Sequence, residues 1–186
     1  KAIHPAFVIG ESIVEQFDRA SSTPLFTPVE DITDLYWHII ALHIPLESLA
    51  SFCERLMFGK TMSESMLAAA RLNHDAESLV EPGLKPSQIV QKLEGIPDLA
   101  LLTVRIGYEN LFVQNRIQQY ATEWRYVRPK TDGHTLRERG LPPGPCYGRL
   151  LNRLRAAQLD GEVKDDGEEV ELLDRLLGEG FCNDGA

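Results

Sequence analysis

Apolar residues recur three and four positions apart along almost the whole chain, and no run of four or more residues argues convincingly for a strand. That spacing places the apolar side chains on one face of a helix wherever it occurs. Ile9, Ile13 and Phe17 mark a first helix, ending near Ala20. Leu35, Tyr36, Trp37, Ile39, Ile40 and Leu42 crowd a second. The pattern predicts an all-α, multi-helix body and tail of about nine or ten helices, with no sheet.

Proline, glycine and capping residues set the boundaries. Thr27-Pro28-Val29-Glu30 offers an N-cap, a proline at the first helical position and the glutamate of a capping box, for a helix over about 30–43. Pro45 divides it from one over about 46–57, and Thr61 with Glu64 repeats the capping-box spacing before a helix to about 72. A short helix over about 87–93 closes at Gly95, and Pro97 begins another to about 107. A long helix is expected over about 108–126, stopped by Pro129. After the Thr131-Asp132-Gly133 turn come helices over about 135–139, 146–159 and 168–177. The tail GEGFCNDGA is expected to be loose.

The segment GLPPGPCYGRLLNRLRAAQLDGEV, residues 140–163, joins a stiff corner to an amphipathic run. Its three prolines fix the backbone and remove three amide donors. Tyr147, Leu150, Leu151 and Leu154 form one stripe, while Arg149, Asn152 and Arg153 lie off it and Arg155 flanks it. Gly144-Pro145 sets the N-cap and first position, leaving the amides of Cys146 and Tyr147 as donors a phosphate could meet. An ordinary capped helix with a solvated arginine face fits the same residues.

Charge is unevenly distributed. The net charge is −9, yet residues 105–164 hold 11 Lys+Arg against 6 Asp+Glu, while residues 165–186 hold 1 against 8. The local field decides where a polyanion docks. The chain is read as an acidic helical body, 1–104, and a tail, 105–186, with a basic segment at 105–164 and an acidic C-terminal helix. WRYVRPKTDGH sets Arg125, Arg128 and Lys130 among Trp124 and Tyr126, a mixture suited to a nucleic-acid backbone with base stacking. Arg137 and Arg139 stand one turn before the corner. Surface ion pairs are the alternative for all of these cations.

Several classes of chemistry lack their residues. There is no D-x-D pair, G-x-x-x-x-G-K-[ST], G-x-G-x-x-G or H-E-x-x-H. His38 and His43 lie on an apolar helix and are expected to be packed or hydrogen-bonded, with no metal. Cys53, Cys146 and Cys182 are odd in number and far apart, which indicates no disulfide framework and a reducing cytoplasm. No run approaches about 18 uninterrupted apolar residues, so no membrane partner is expected.

The stretch from Leu136 to Val163 resembles the C-terminal signature of the tRNA nucleotidyltransferase and bacterial poly(A) polymerase family, the CCA- and A-adding enzymes. The likeness rests on Gly140-Leu141-Pro142-Pro143-Gly144-Pro145, on Tyr147-Gly148 and on Leu159-Asp160-Gly161-Glu162. Trp124 to Leu136 resembles the segment before it, and Ile3-His4-Pro5 the start of the helical body; residues 46–102 fit more loosely. Cys146 departs from the arginine or other polar residue that often follows the Pro-Gly-Pro corner in this family. The resemblance implies a C-terminal fragment that binds tRNA at its acceptor stem, T arm and elbow, and that is inactive alone because the catalytic head lies elsewhere. It implies no cofactor in the fragment, with Mg²⁺ and ATP or CTP belonging to the head. A start without methionine, in mid-element, fits an excised piece. Arg125, Arg128, Lys130, Arg137, Arg139, Arg149 and Arg153 are the expected phosphate clamps. Homo-oligomerisation stays open. So do two other readings: a protein-interaction module with Tyr36, Trp37 and Phe58 forming a groove, and a helix-hairpin-helix DNA-binding domain, which three prolines disfavour.

Overall fold

The structure, a computed structural model, describes residues 11–22 and 24–182. Among them the chain forms ten α-helices and no strand. They are α1 Glu11–Ser22, α2 Ile32–Leu42, α3 Leu46–Arg55, α4 Lys60–His74, α5 Pro86–Leu93, α6 Asp98–Gly107, α7 Leu111–Thr122, α8 Gly133–Glu138, α9 Pro145–Leu159 and α10 Asp166–Gly178. Single 3₁₀ turns lie at Ala76–Leu79 and Trp124–Tyr126. The all-α expectation therefore holds. None of the described helices is long and apolar enough to cross a membrane. Ile3-His4-Pro5 and Ile9 fall outside the described residues.

Caps explain where the boundaries differ from those predicted. The capping box at Thr27 is not used: Asp31 caps α2, its carboxylate accepting from the Thr33 amide at 2.8 Å. Hydrogen bonding by the Thr33 side chain first, and by its amide, holds the Asp31 carboxyl below its ordinary pKa. Gly59 precedes α4 with no side-chain cap, so the Thr61–Glu64 spacing is also idle. The long helix predicted over 108–126 is shorter at both ends. Asn110 accepts from the Phe112 amide just before α7, and the chain leaves the helix after Thr122.

Two compact units emerge: residues 1–84 with 92–122, and residues 85–91 with 123–186. The charge division at residue 104 lies within α6. In the first unit α6 is buried almost throughout, from Ala100 to Gly107, and packs against α2, α4 and α7. Leu35 and Ile39 of α2 meet Leu102 and Ile106 of α6. Phe52 and Cys53 of α3 meet Met66 and Ala70 of α4. Trp37 packs edge-on to Phe58 in this second cluster, whereas Tyr36 tilts against Phe17 in the first. The three aromatics proposed for a shared partner groove thus pack into two different cores.

The second unit is built around α9. Leu150, Leu154 and Ala157 are buried against Leu136 of α8 and Leu172, Leu173 and Leu176 of α10, with Tyr147 and Leu151 half-buried beside them. The stripe read from the sequence is the core side of this helix.

Candidate nucleic-acid interface

The proline corner is held by short-range bonds. Gly140, at φ 82°, takes the left-handed conformation that ends α8, and the Leu141 amide reaches back to the Leu136 carbonyl at 3.2 Å. The chain then runs through Pro142 and Pro143 to Gly144, which precedes Pro145 at the first position of α9. Tyr147 locks the turn by donating its hydroxyl to the Leu141 carbonyl at 2.7 Å. Its amide donates to the Gly144 carbonyl at 3.1 Å. Of the two amides offered to a phosphate, that of Tyr147 already has a partner.

Arg139 and Arg149 come together here. Both line a cavity of about 540 Å³ walled by the corner residues 140–146 and by Leu177 and Cys182. The Arg139 guanidinium is paired with Asp174 of α10. That of Arg149 lies 5.9 Å from the centre of the Phe181 ring, in cation–π range.

Two sequence expectations fail at this point. Cys146 and Cys182 form a disulfide, with Cα atoms 5.4 Å apart. The reading that no disulfide is indicated came from sequence spacing, which carries no information about proximity in space. Nor is the tail loose through Cys182. Gly180, at φ 74°, turns the chain after α10, the Phe181 amide bonds the Leu176 carbonyl at 3.1 Å, and Cys182 returns to the start of α9. Residues 183–186 lie outside the described part.

The other cations are dispersed. Arg128 curls onto its own turn, donating to the carbonyls of Arg125 and Val127, both at 2.8 Å. The Arg125 guanidinium stacks over Tyr126 at 5.7 Å. Lys130 pairs with Asp166, a hydrogen bond that raises its pKa. Arg137 is exposed on α8. Arg153 donates to Glu162 at 2.7 Å, and Lys85 reaches the same carboxylate at 3.3 Å. Those two cations, Arg153 first, hold the Glu162 carboxyl below its ordinary pKa. Lys130, Arg139 and Arg153 are therefore ion-paired within the second unit, the first two to α10.

Three residues that are not among the expected phosphate clamps organise this surface. Arg155 donates from Nε to the Val127 carbonyl at 3.1 Å, fixing the loop that carries Arg125 and Arg128. Asp160 accepts from the amide and hydroxyl of Ser87 at 2.9 and 2.8 Å, anchoring the start of α5. Glu169, almost wholly buried, holds the segment Lys130-Thr131. Arg155 was visible as a flanking position; the partners of Asp160 and Glu169 lie 73 and 38 residues away, where no local pattern points to them.

No group of three His, Cys, Asp or Glu side chains among the described residues is placed to hold an ion. His38 is bound from both ring nitrogens: Nδ1 donates to the Asp34 carbonyl at 2.7 Å and Nε2 accepts from the Ser65 hydroxyl at 2.8 Å.

The chain is similar to the A-adding tRNA nucleotidyltransferase of Geobacter sulfurreducens, 21% identical over 189 residues. The likeness supports a relation to that family. It extends over 94% of this chain and 21% of that enzyme, so the chain spans about a fifth of the length of the relative it matches and the likeness runs through both units. No family model and no solved structure matches.

Proposed function

We propose that this chain is a tRNA-binding helical region of a tRNA nucleotidyltransferase, in which the nucleotide-adding chemistry resides outside these 186 residues. The observation that carries the reading is the likeness to an A-adding enzyme along 94% of the chain. The proline-corner and Leu-Asp-Gly-Glu motifs named from the sequence agree with it. The absence of a D-x-D pair supports placing the chemistry elsewhere.

Arg125, Arg128, Lys130, Arg137, Arg139, Arg149 and Arg153 act in this reading as phosphate contacts. Duplex RNA hides its base edges in a deep groove, so recognition runs through A-form shape and backbone charge. Arg128, Arg137 and Arg149 have exposed side chains unpaired with any acid among the described residues, so they lead. Lys130, Arg139 and Arg153 must first exchange a carboxylate for a phosphate. Action in the cytoplasm, where tRNA is matured, completes the proposal.

Filter binding of a tRNA lacking its terminal adenosine, measured across a salt series, tests it. Alanine at Arg128, Arg137 and Arg149 together should weaken binding on the order of tenfold or more and flatten the salt slope by about 2–3. Binding and slope equal to those of the unchanged chain would remove the clamp assignment.

A further inference from the structure

The Cys146–Cys182 bond joins the chain just after the acidic C-terminal helix to the end of the proline corner. Cys146 is the second residue of α9; Cys182 follows the Gly180 turn that ends α10. Both sulfur-bearing residues line the corner cavity, and both are only half-buried. Within the same cavity lie the two guanidinium-bearing residues that α10 and its end restrain: Arg139 through Asp174, Arg149 through Phe181. Cys53, by contrast, is buried among Phe52, Met66 and Ala70, and burial pushes its thiol pKa up.

We propose that Cys146–Cys182 is a redox latch: closed as a disulfide, it holds Phe181 against Arg149 and walls the corner cavity, and opened by a dithiol reductant, it releases the segment 179–182. The proposal that opening favours RNA rests on the tRNA-binding reading above; the latch itself does not.

The exchange balances as two displacements. A thiolate of the dithiol attacks Sγ of Cys182, forming a mixed disulfide and expelling Cys146 as thiolate. The positive end of α9 stabilises negative charge on the departing sulfur. The reductant's second thiolate then attacks its own sulfur in the mixed disulfide and releases Cys182. Two electrons pass to the protein, the reductant leaves as a cyclic disulfide, and both thiolates take protons from solvent according to pH. With the covalent tether gone, residues 179–182 are held by the backbone bonds that end α10, among them Glu179 amide to Arg175 carbonyl and Phe181 amide to Leu176 carbonyl, and by the packing of Phe181 against the second unit's core, contacts that can break and re-form. Arg149 then loses its aromatic platform and one wall of the cavity is free to move.

Hydrogen exchange on the 186-residue chain, oxidised or reduced with millimolar dithiothreitol, tests the latch. Reduction should speed exchange of the amides of residues 179–182 by about tenfold or more, and Cys182→Ser should exchange at the fast rate without reductant and ignore its addition. Equal exchange of that segment in the two redox states, or a chain whose intact mass shows no bond after purification without reductant, overturns the latch. A 12-base-pair RNA duplex read by fluorescence anisotropy supplies the second arm. Reduced chain and Cys182→Ser should bind severalfold more tightly than oxidised chain. Equal affinity of the two redox states overturns control of RNA by the latch; no binding in either state overturns the RNA reading while the exchange result stands.

Discussion

Glu169 and Thr131 share one oxygen: the Glu169 Oε1 accepts from the Thr131 amide at 2.7 Å and from its hydroxyl at 2.6 Å. The other carboxylate oxygen accepts from the Gln158 side chain at 2.6 Å and the Lys130 amide at 3.2 Å. A single buried acid thereby ties the loop before α8 to α9 and α10. Because four donors converge on it, its replacement leaves polar groups buried without acceptors. Glu169→Ala should destabilise the second unit by on the order of 3 kcal/mol, read as a lower urea midpoint. Glu169→Gln should also destabilise it, since an amide NH₂ then faces donors. A midpoint unchanged in both variants would show that the loop holds without this carboxylate.

Asp160 does for α5 what Glu169 does for the loop before α8. Its two oxygens take the Ser87 amide and hydroxyl, an N-terminal cap delivered from the end of α9. Asp160→Ala should cost about 1–2 kcal/mol, the range of a lost cap. Amide exchange at Ser87 should accelerate more than exchange within α10. If Ser87 stays as protected as before, the cap is not what holds that turn.

Two histidines of the first unit should make it less stable in acid. Burial lowers the pKa of His38, and burial lowers that of His43, whose Nε2 donates to Gln16 Oε1 at 2.7 Å. Each folded pKa lies below the unfolded value of 6.5. The unfolded chain therefore binds more protons in this window, and stability is complete above pH 6.5 and lost as pH falls below it. His38 alone can contribute a slope of up to about 1.4 kcal/mol per pH unit there. Thermal midpoints between pH 7.5 and 5 should fall for the unchanged chain and fall less steeply for His38→Asn. An equal slope in the variant would assign the acid sensitivity elsewhere.

Much of the fold was legible because it depends on local pattern. Leu150 and Leu154 declare the buried face of α9 by spacing alone, and Pro145 declares its start. Gly140 and the corner prolines mark the turn before it. What sequence cannot carry is pairing at a distance. Arg139 and Arg153 look alike as surface cations, yet one is held by Asp174 and the other by Glu162. The acidic run of α10 looks like a solvated face and instead supplies Asp166, Glu169 and Asp174 to three separate partners. Cys146 and Cys182, 36 residues apart, give no local sign that they meet. Tyr36 and Trp37 show the converse, neighbours in sequence and type that α2 sends to different cores.

The acid partners make the proposed RNA contact adjustable. Asp174 pairs with Arg139 and Asp166 with Lys130, all four at exposed or partly exposed positions, where such pairs contribute little to folding. Replacing Asp174 and Asp166 by Asn should therefore leave the thermal midpoint almost unchanged while freeing two cations for phosphate. Affinity for tRNA should rise, and the salt slope should steepen by up to about 0.7–0.9 for each cation recruited. Removing charge alone would raise affinity too, so the control is Glu171→Gln, an exposed acid on the same helix with no ion pair among the described residues. That variant should gain affinity without the steeper slope. Should Asp174→Asn with Asp166→Asn match Glu171→Gln in slope, Arg139 and Lys130 do not touch the phosphate backbone, and the contact must rest on Arg125, Arg128, Arg137, Arg149 and Arg153.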